Sequence, residues 1–259
     1  MRYLRGLVHE NLRNTFNKAL WSPKYVRPET IHACLKPYST NVNAPDSWPI
    51  DPAMLEFNAT NLDKIQQRLE TRLSTRPPFT FKYDTSKTLA EAAVLVPFCI
   101  VDGKPSILFT VRSSNMNSHK GEVSFPGGKK DPEDKSLLAT ALRETHEEVY
   151  IPSEDIQTLG QHATLPNRTL TMKVYPFVGF IKKPIVPQDV KYNPHEVSGV
   201  FTLTLEQLLD PKRRSLKKFR GMSYSIPVFK GPEELGVDVW GLTAFILEGV
   251  LKTSFQRID

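Results

Sequence analysis

Apolar residues first recur at helical spacing near the start of the chain, where Leu4, Val8, Leu12, Phe16 and Leu20 fall every fourth residue. Pro23 and Pro28 end that pattern, and the stretch to Pro52 is rich in Pro, Ser, Thr and Asn with little periodicity, which predicts a linker. A second helix is predicted from Asn61 to about Arg76, with Leu62, Ile65, Leu69 and Leu73 along one side, Asn61 as its cap and Pro77-Pro78 as its stop. It reads as a packing element. Ala92–Val101 is a predicted buried strand, turning at Asp102-Gly103-Lys104 into a second strand at Ser106–Arg112. Ile156–Thr164 and Lys173–Ile181 are two more, with Leu165–Leu170 as the loop between them. A short helix around Leu205–Leu209 and a closing helix over Gly241–Lys252, with Leu242, Phe245, Ile246 and Leu251 available for burial, complete the elements.

The most informative helix lies between the strand pairs, in FPGGKKDPEDKSLLATALRETHEEVYI from Phe125 to Ile151. Ser136 is its predicted N-cap, and Leu138, Ala141, Leu142, Thr145 and Val149 share one side. Glu144, Glu147 and Glu148 gather within about a third of the circumference, on a different side. Their repulsion disfavours the helix by a few tenths of a kcal/mol per i,i+4 pair, roughly, unless something neutralises them. A divalent hard cation does so with oxygen ligands, and Mg²⁺ needs few carboxylates when a phosphate supplies the rest. A solvated charged face is the other reading of the same cluster.

Length and composition narrow the class. A chain of 259 residues holds one full domain with extensions, or two small domains, and 39% hydrophobic with 24% charged residues is ordinary for a globular protein. No apolar run approaches the roughly 18 residues that would span a bilayer. Cys34 and Cys99 stand far apart, which suggests neither a disulfide framework nor a cysteine zinc site, and suits a reducing compartment. The net charge of +6 fits an anionic substrate or partner. Much of the excess lies in two places. Arg2, Arg5, Arg13, Lys18, Lys24 and Arg27 make the first helix cationic and amphipathic, the look of a mitochondrial presequence over residues 1–28, with a surface helix as the alternative. Lys212, Arg213, Arg214, Lys217, Lys218 and Arg220 form a second run, read as a solvated face or as a docking patch for phosphate groups. Only Phe219 and Tyr224 interleave it, so nucleic-acid binding by stacking is weakly supported.

Phe-Pro-Gly-Gly followed by the acidic helix resembles the Nudix box, G-x5-E-x7-R-E-U-x-E-E-x-G-U, with Gly128, Asp134, Arg143, Glu144, Glu147, Glu148 and Ile151 at its positions. Asp134 replaces Glu with one extra residue before Arg143, Thr145 takes an apolar position, and Tyr150 replaces the closing Gly. Tyrosine is strained in the left-handed conformation that Gly supplies, so a different helix exit is expected, with Pro152 helping to end it. Upstream, ILFTVRSSNMNSHKGEVSFPGG resembles the signature of the coenzyme A diphosphatase branch of that family, matching at Leu108, Thr110, Arg112, Ser113, Gly121, Val123 and Phe125 to Gly128. Met116 stands there for Leu and Asn117 for Arg. His119-Lys120-Gly121-Glu122-Val123-Ser124, with Ile226–Phe229 and Val239–Ala244, is most similar to the mitochondrial animal representatives of the branch.

The resemblance implies an α/β Nudix fold, a mixed β-sheet in an α/β/α sandwich carrying a loop-helix-loop box, over residues 89–259; residues 29–88 are then linker and N-terminal helix. It implies metal-dependent hydrolysis of the diphosphate bond of coenzyme A and its thioesters, giving adenosine 3′,5′-bisphosphate and 4′-phosphopantetheine species, with Mg²⁺ or Mn²⁺ as cofactor. Glu147 and Glu148 would be metal ligands, Glu144 a ligand or the base, and Arg143 would hold Glu144 in place. Gly127 and Gly128 would let the backbone approach metal and phosphate, since neither has a Cβ. Arg112, His119 and Lys120 would meet the substrate phosphates, and Arg168 and Thr169 could face substrate from their loop. Glu196, in Asn193-Pro194-His195-Glu196, is a candidate further ligand or general base, or a loop-fixing acceptor. The substrate is a small molecule, with neither membrane nor nucleic acid as expected partner. Mitochondria are the expected location; the cytoplasm is the alternative, and the peroxisomal Ser-Lys-Leu ending is absent. Alternative activities are hydrolysis of ADP-ribose, NADH or an oxidised nucleotide, or silent nucleotide or RNA binding, against which the complete carboxylate set argues.

Overall fold

The computed structural model describes residues 49–75, 81, 83, 86, 88–114, 121–218 and 225–258. The expected presequence, the expected linker as far as residue 48, Asn117, His119 and Lys120, and Arg220 therefore lie outside the described residues.

The sheet is built around β1 (Ala90–Val101), a long run of small and branched residues buried on both faces. It turns through Asp102-Gly103 into antiparallel β2 (Lys104–Arg112), and on its other side runs parallel to β7 (Met172–Ile181). β4 (Gly127–Lys129) pairs with the start of β1, from Ala92 to Val94, whereas β2 pairs with its end, from Phe98 to Val101. Pro97 stands at the changeover, where a missing N–H breaks neither ladder. β3 (Val123–Ser124) and β8 (Val197–Thr204) pair with β2, and β5 (Ile156–Gln161) and β6 (Leu165–Pro166) with β7, completing an eight-stranded mixed sheet. The period-two alternation of β1 divides the core. Ala92, Val96 and Phe98 point to one layer, and Ala93 and Leu95 to the other.

The second layer is one helix, α2 (Leu137–Val149), which lays Ala141 and the partly buried Leu138 and Leu142 against Ala93, Leu95 and Phe177. The first layer is α1 (Ala59–Thr75) and α4 (Gly241–Phe255). Ile65 and Leu69 of α1 are 0% and 1% exposed, and each contributes about 2 kcal/mol by burial. The α/β/α sandwich expected from the sequence is present, and α1 belongs to its core. The cap of α1 differs from expectation. Asn58 Oδ1 accepts the Asn61 N–H at 3.0 Å, while Asn61 lies inside the helix, buried, donating to the Ala53 and Glu56 carbonyls.

The segment before α1 clasps the end of α4. Asp51 N–H donates to Phe255 O at 2.9 Å, Arg257 N–H to Pro49 O at 2.8 Å, and Arg68 gives one guanidinium nitrogen to the Ser254 and Gln256 carbonyls. A second, three-stranded sheet was not anticipated: β9 (Arg214–Lys218), β10 (Ser225–Lys230) and β11 (Asp238–Val239), packed on α4. It follows the short helix α3 (Leu205–Leu209), whose Thr204–Gln207 capping box is complete.

Candidate active site

α2 begins where its sequence directs, with Ser136 Oγ accepting the Ala139 N–H at 3.1 Å. It ends at Tyr150, which takes up the left-handed conformation (φ 54°, ψ 26°) instead of avoiding it. The expected change of helix exit does not occur; the tyrosine carries the strain that glycine would remove. Within this frame Arg143 is a hub. Its Nε and Nη2 reach the two carboxylate oxygens of Asp134, Nη1 reaches Glu144 Oε1 at 3.0 Å and Glu147 Oε2 at 2.8 Å, and Nη2 also reaches the Lys129 carbonyl. The extra residue before Arg143 is accommodated by a closed loop. Asp131 N–H and Thr140 Oγ1 both donate to Asp134 Oδ2, at 2.9 and 2.8 Å. Arg143 and these donors hold the Asp134 carboxyl well below the usual carboxylate range, and Asp134 in turn holds the guanidinium above its own.

The remaining carboxylates converge beside the hub. Glu144, Glu148 and Glu196 each place an oxygen within 4.8 Å of the others. Glu148 is 3% exposed, and its Oε2 is buried without a hydrogen-bond partner among the described residues. Burial pushes its carboxyl up to about 8, Arg112 draws it back, and Glu144 and Glu196 raise it further. Burial also raises Glu144, against the pull of Arg143. Glu144 lies so close to Gly128 that a Cβ there would run into its carboxylate; one on Gly127 would strike the Ala93 carbonyl. Three hard oxygen donors in one place, one buried and unpartnered, fit a small divalent cation such as Mg²⁺ or Mn²⁺. Glu147 stands outside this trio, on the rim, 49% exposed and paired with Arg143.

The NUDIX domain profile matches residues 90–221, from the first residue of β1 past the turn that carries Glu196. The chain belongs to the Nudix family. It is accordingly a Nudix pyrophosphohydrolase. It is 44% identical over 170 residues, 63% of this chain and 69% of the relative, to the mitochondrial coenzyme A diphosphatase NUDT8 of Homo sapiens. To the protein of that name in Mus musculus it is 41% identical over 196 residues, covering 73% of this chain and 84% of the relative. An uncharacterised Nudix hydrolase, NudL, of Photorhabdus laumondii is 40% identical over 163 residues, covering 60% of this chain and 80% of the relative.

Around the Nudix box the other candidates separate. Arg112, the last residue of β2, pairs in register with Val197, next to Glu196, and its Nε is buried without a hydrogen-bond partner among the described residues. Arg168 and Thr169 are exposed, and the Thr169 hydroxyl is bonded to Asn167 and Thr171 within its own loop. The basic run is partly structural. Arg213 donates to the Lys230 and Gly231 carbonyls, and Arg214 forms a buried ion pair with Glu248 at 3.1 Å. Sequence reasoning missed Asn193, whose amide reaches Glu196. The signal it left is an Asn-Pro turn three residues before a glutamate.

Proposed function

We propose that this Nudix enzyme hydrolyses the diphosphate bond of coenzyme A and its thioesters, releasing adenosine 3′,5′-bisphosphate and (acyl-)4′-phosphopantetheine. The reading rests first on the convergence of Glu144, Glu148 and Glu196 around the unpartnered Glu148 Oε2. Those three carboxylates would hold Mg²⁺ or Mn²⁺, with Glu147 adding a ligand from the rim. A cation there would neutralise phosphate charge and favour ionisation of a nearby water. Hydrolysis requires water to attack phosphorus as the anhydride bond breaks, with the departing phosphate taking the bonding electrons. Glu144 would serve as one of those ligands or, instead, as the base that takes the proton from the attacking water. Arg143 keeps that carboxylate aimed, and Arg112, at the end of β2, offers a cation to substrate phosphate.

The substrate assignment is supported by the Leu108–Gly128 signature and by the names of the 44% and 41% identical relatives. Asn117, standing where the signature carries Arg, favours a second reading: a diphosphate without a 3′-phosphate, such as NADH or ADP-ribose. Product-resolved assays with Mg²⁺ or Mn²⁺ separate the two. Coenzyme A should exceed 3′-dephospho-coenzyme A in kcat/KM about tenfold, the worth of one charged contact. Equal values for coenzyme A, its dephospho form and ADP-ribose would transfer the assignment to the second reading. The relatives' names and the cationic amphipathic pattern of residues 1–28 support a mitochondrial location. A fluorescent fusion to residues 1–28 that stayed diffuse in the cytosol would overturn it.

A further inference from the structure

Glu196 joins α2 from far along the chain, so something other than the box helix must hold its carboxylate in the trio. Two backbone contacts bring the turn to the site. Ser113 N–H, at the end of β2, donates to the Glu196 carbonyl at 2.8 Å, and Asn193 N–H donates to the Glu148 carbonyl at 2.9 Å. The second fills one of the carbonyls that the last turn of a helix leaves without an internal partner. Asn193 then acts again through its side chain. Oδ1 accepts the His195 N–H at 3.1 Å, which closes the turn, and Nδ2 donates to Glu196 Oε1 at 3.3 Å. The Asn193 carbonyl accepts from Glu196 N–H and Val197 N–H. One residue thus grips the helix carrying Glu144 and Glu148 with its backbone, and the third carboxylate with its amide.

Only an amide suits both side-chain contacts. The His195 N–H requires an acceptor and the Glu196 carboxylate a donor, on the same short side chain. Aspartate would set an acceptor against Glu196, and serine would close the turn without reaching it.

We propose that Asn193 is a positioning residue that aims the Glu196 carboxylate into the cation site and ties its place to the C-terminal end of the box helix. This rests on the reading of Glu144, Glu148 and Glu196 as a metal site, and its test needs no substrate.

Mn²⁺ affinity of the full chain, read from the free Mn²⁺ signal in electron paramagnetic resonance, is compared among wild type, E196Q, N193A, N193S and N193A/E196Q, with circular dichroism as the check on folding. E196Q should weaken binding. N193A and N193S should each weaken it about threefold to tenfold, the net worth of one ordinary hydrogen bond, as the 3.3 Å length of the contact to Glu196 suggests. N193A should add no further loss in the E196Q background, because the amide then has no carboxylate to aim. Wild-type affinity in the folded N193S protein, alongside a weakened E196Q, would overturn the proposal. So would an equal loss from N193A with and without Glu196, the mark of a merely structural residue. Wild-type affinity in E196Q would remove both Glu196 and Asn193 from the site while leaving Glu144 and Glu148 in it.

Discussion

Arg143 meets Asp134 through two parallel hydrogen bonds, Nε to Oδ1 and Nη2 to Oδ2, both at 2.9 Å. The forked geometry fixes the plane of the guanidinium, and its third nitrogen is thereby turned toward Glu144 and Glu147. The aspartate is shorter than the family's glutamate, and the longer loop before Arg143 brings it within reach. Asp134→Asn should cost about 1.5–3 kcal/mol of stability, the worth of hydrogen bonds to charged groups, measured by urea unfolding. Arg143→Lys should lower kcat more than it lowers stability, since a point charge cannot span Asp134 and Glu144 together.

Glu148 combines a cost to the fold with a benefit to chemistry. A carboxylate 3% exposed, with one oxygen unpartnered among the described residues, is unfavourable until a cation joins it. Glu148→Gln should raise the melting temperature of the metal-free protein and lower kcat about 10²-fold or more, because the metal contribution is several kcal/mol. Unchanged turnover in this variant would remove Glu148 from the ligand set.

Tyr150 is half exposed and buys little by packing, yet it holds φ at 54°. Tyr150→Gly should therefore stabilise the protein by about 0.5–1 kcal/mol, the relief of left-handed strain less the added freedom of the unfolded chain. Differential scanning calorimetry would read this directly, and a fall in melting temperature would mean that the exposed ring contributes more than its surroundings suggest.

His162 lies away from the site, 2% exposed, with Nε2 on Thr253 Oγ1 at 3.2 Å. Burial first, and then the nearby Arg72 cation, push its pKa down to about 3 from an ordinary 6.5. The unfolded chain takes up the proton below pH 6.5 while the native state refuses it until about 3, so stability falls as the pH drops through that window. His162→Gln should flatten the decline by at most about 1.4 kcal/mol per pH unit. Parallel stability profiles of wild type and variant would show that the ring takes its proton normally.

The box helix was legible because its signals are local: a serine cap, an apolar stripe at period 3.6 and carboxylates on the adjoining face. Its neighbours in β1, β2, β5 and β7 were legible for the same reason, to within a few residues at their ends. Local signals misled at Asn61, because two asparagines three positions apart are equally good caps and only packing selects Asn58. They were silent where a partner comes from far away. The charges that act on buried Glu148 include those of Arg112 and Glu196, and Arg214 is paired with Glu248 of α4; neither follows from charge run or period. The small sheet was hidden under that basic run, since Arg214, Ser215, Lys217 and Lys218 read as solvated surface, whereas Arg214 turns inward to an ion pair with Glu248.

The clasp between Pro49–Asp51 and Phe255–Arg257 brings the two ends of the described fold side by side. A short polar linker could join them, and new ends could be opened at an exposed loop, such as the turn around Glu233 and Glu234. The product would be a circular permutant, in which the order of β1, the box helix and the Glu196 turn along the chain is unchanged.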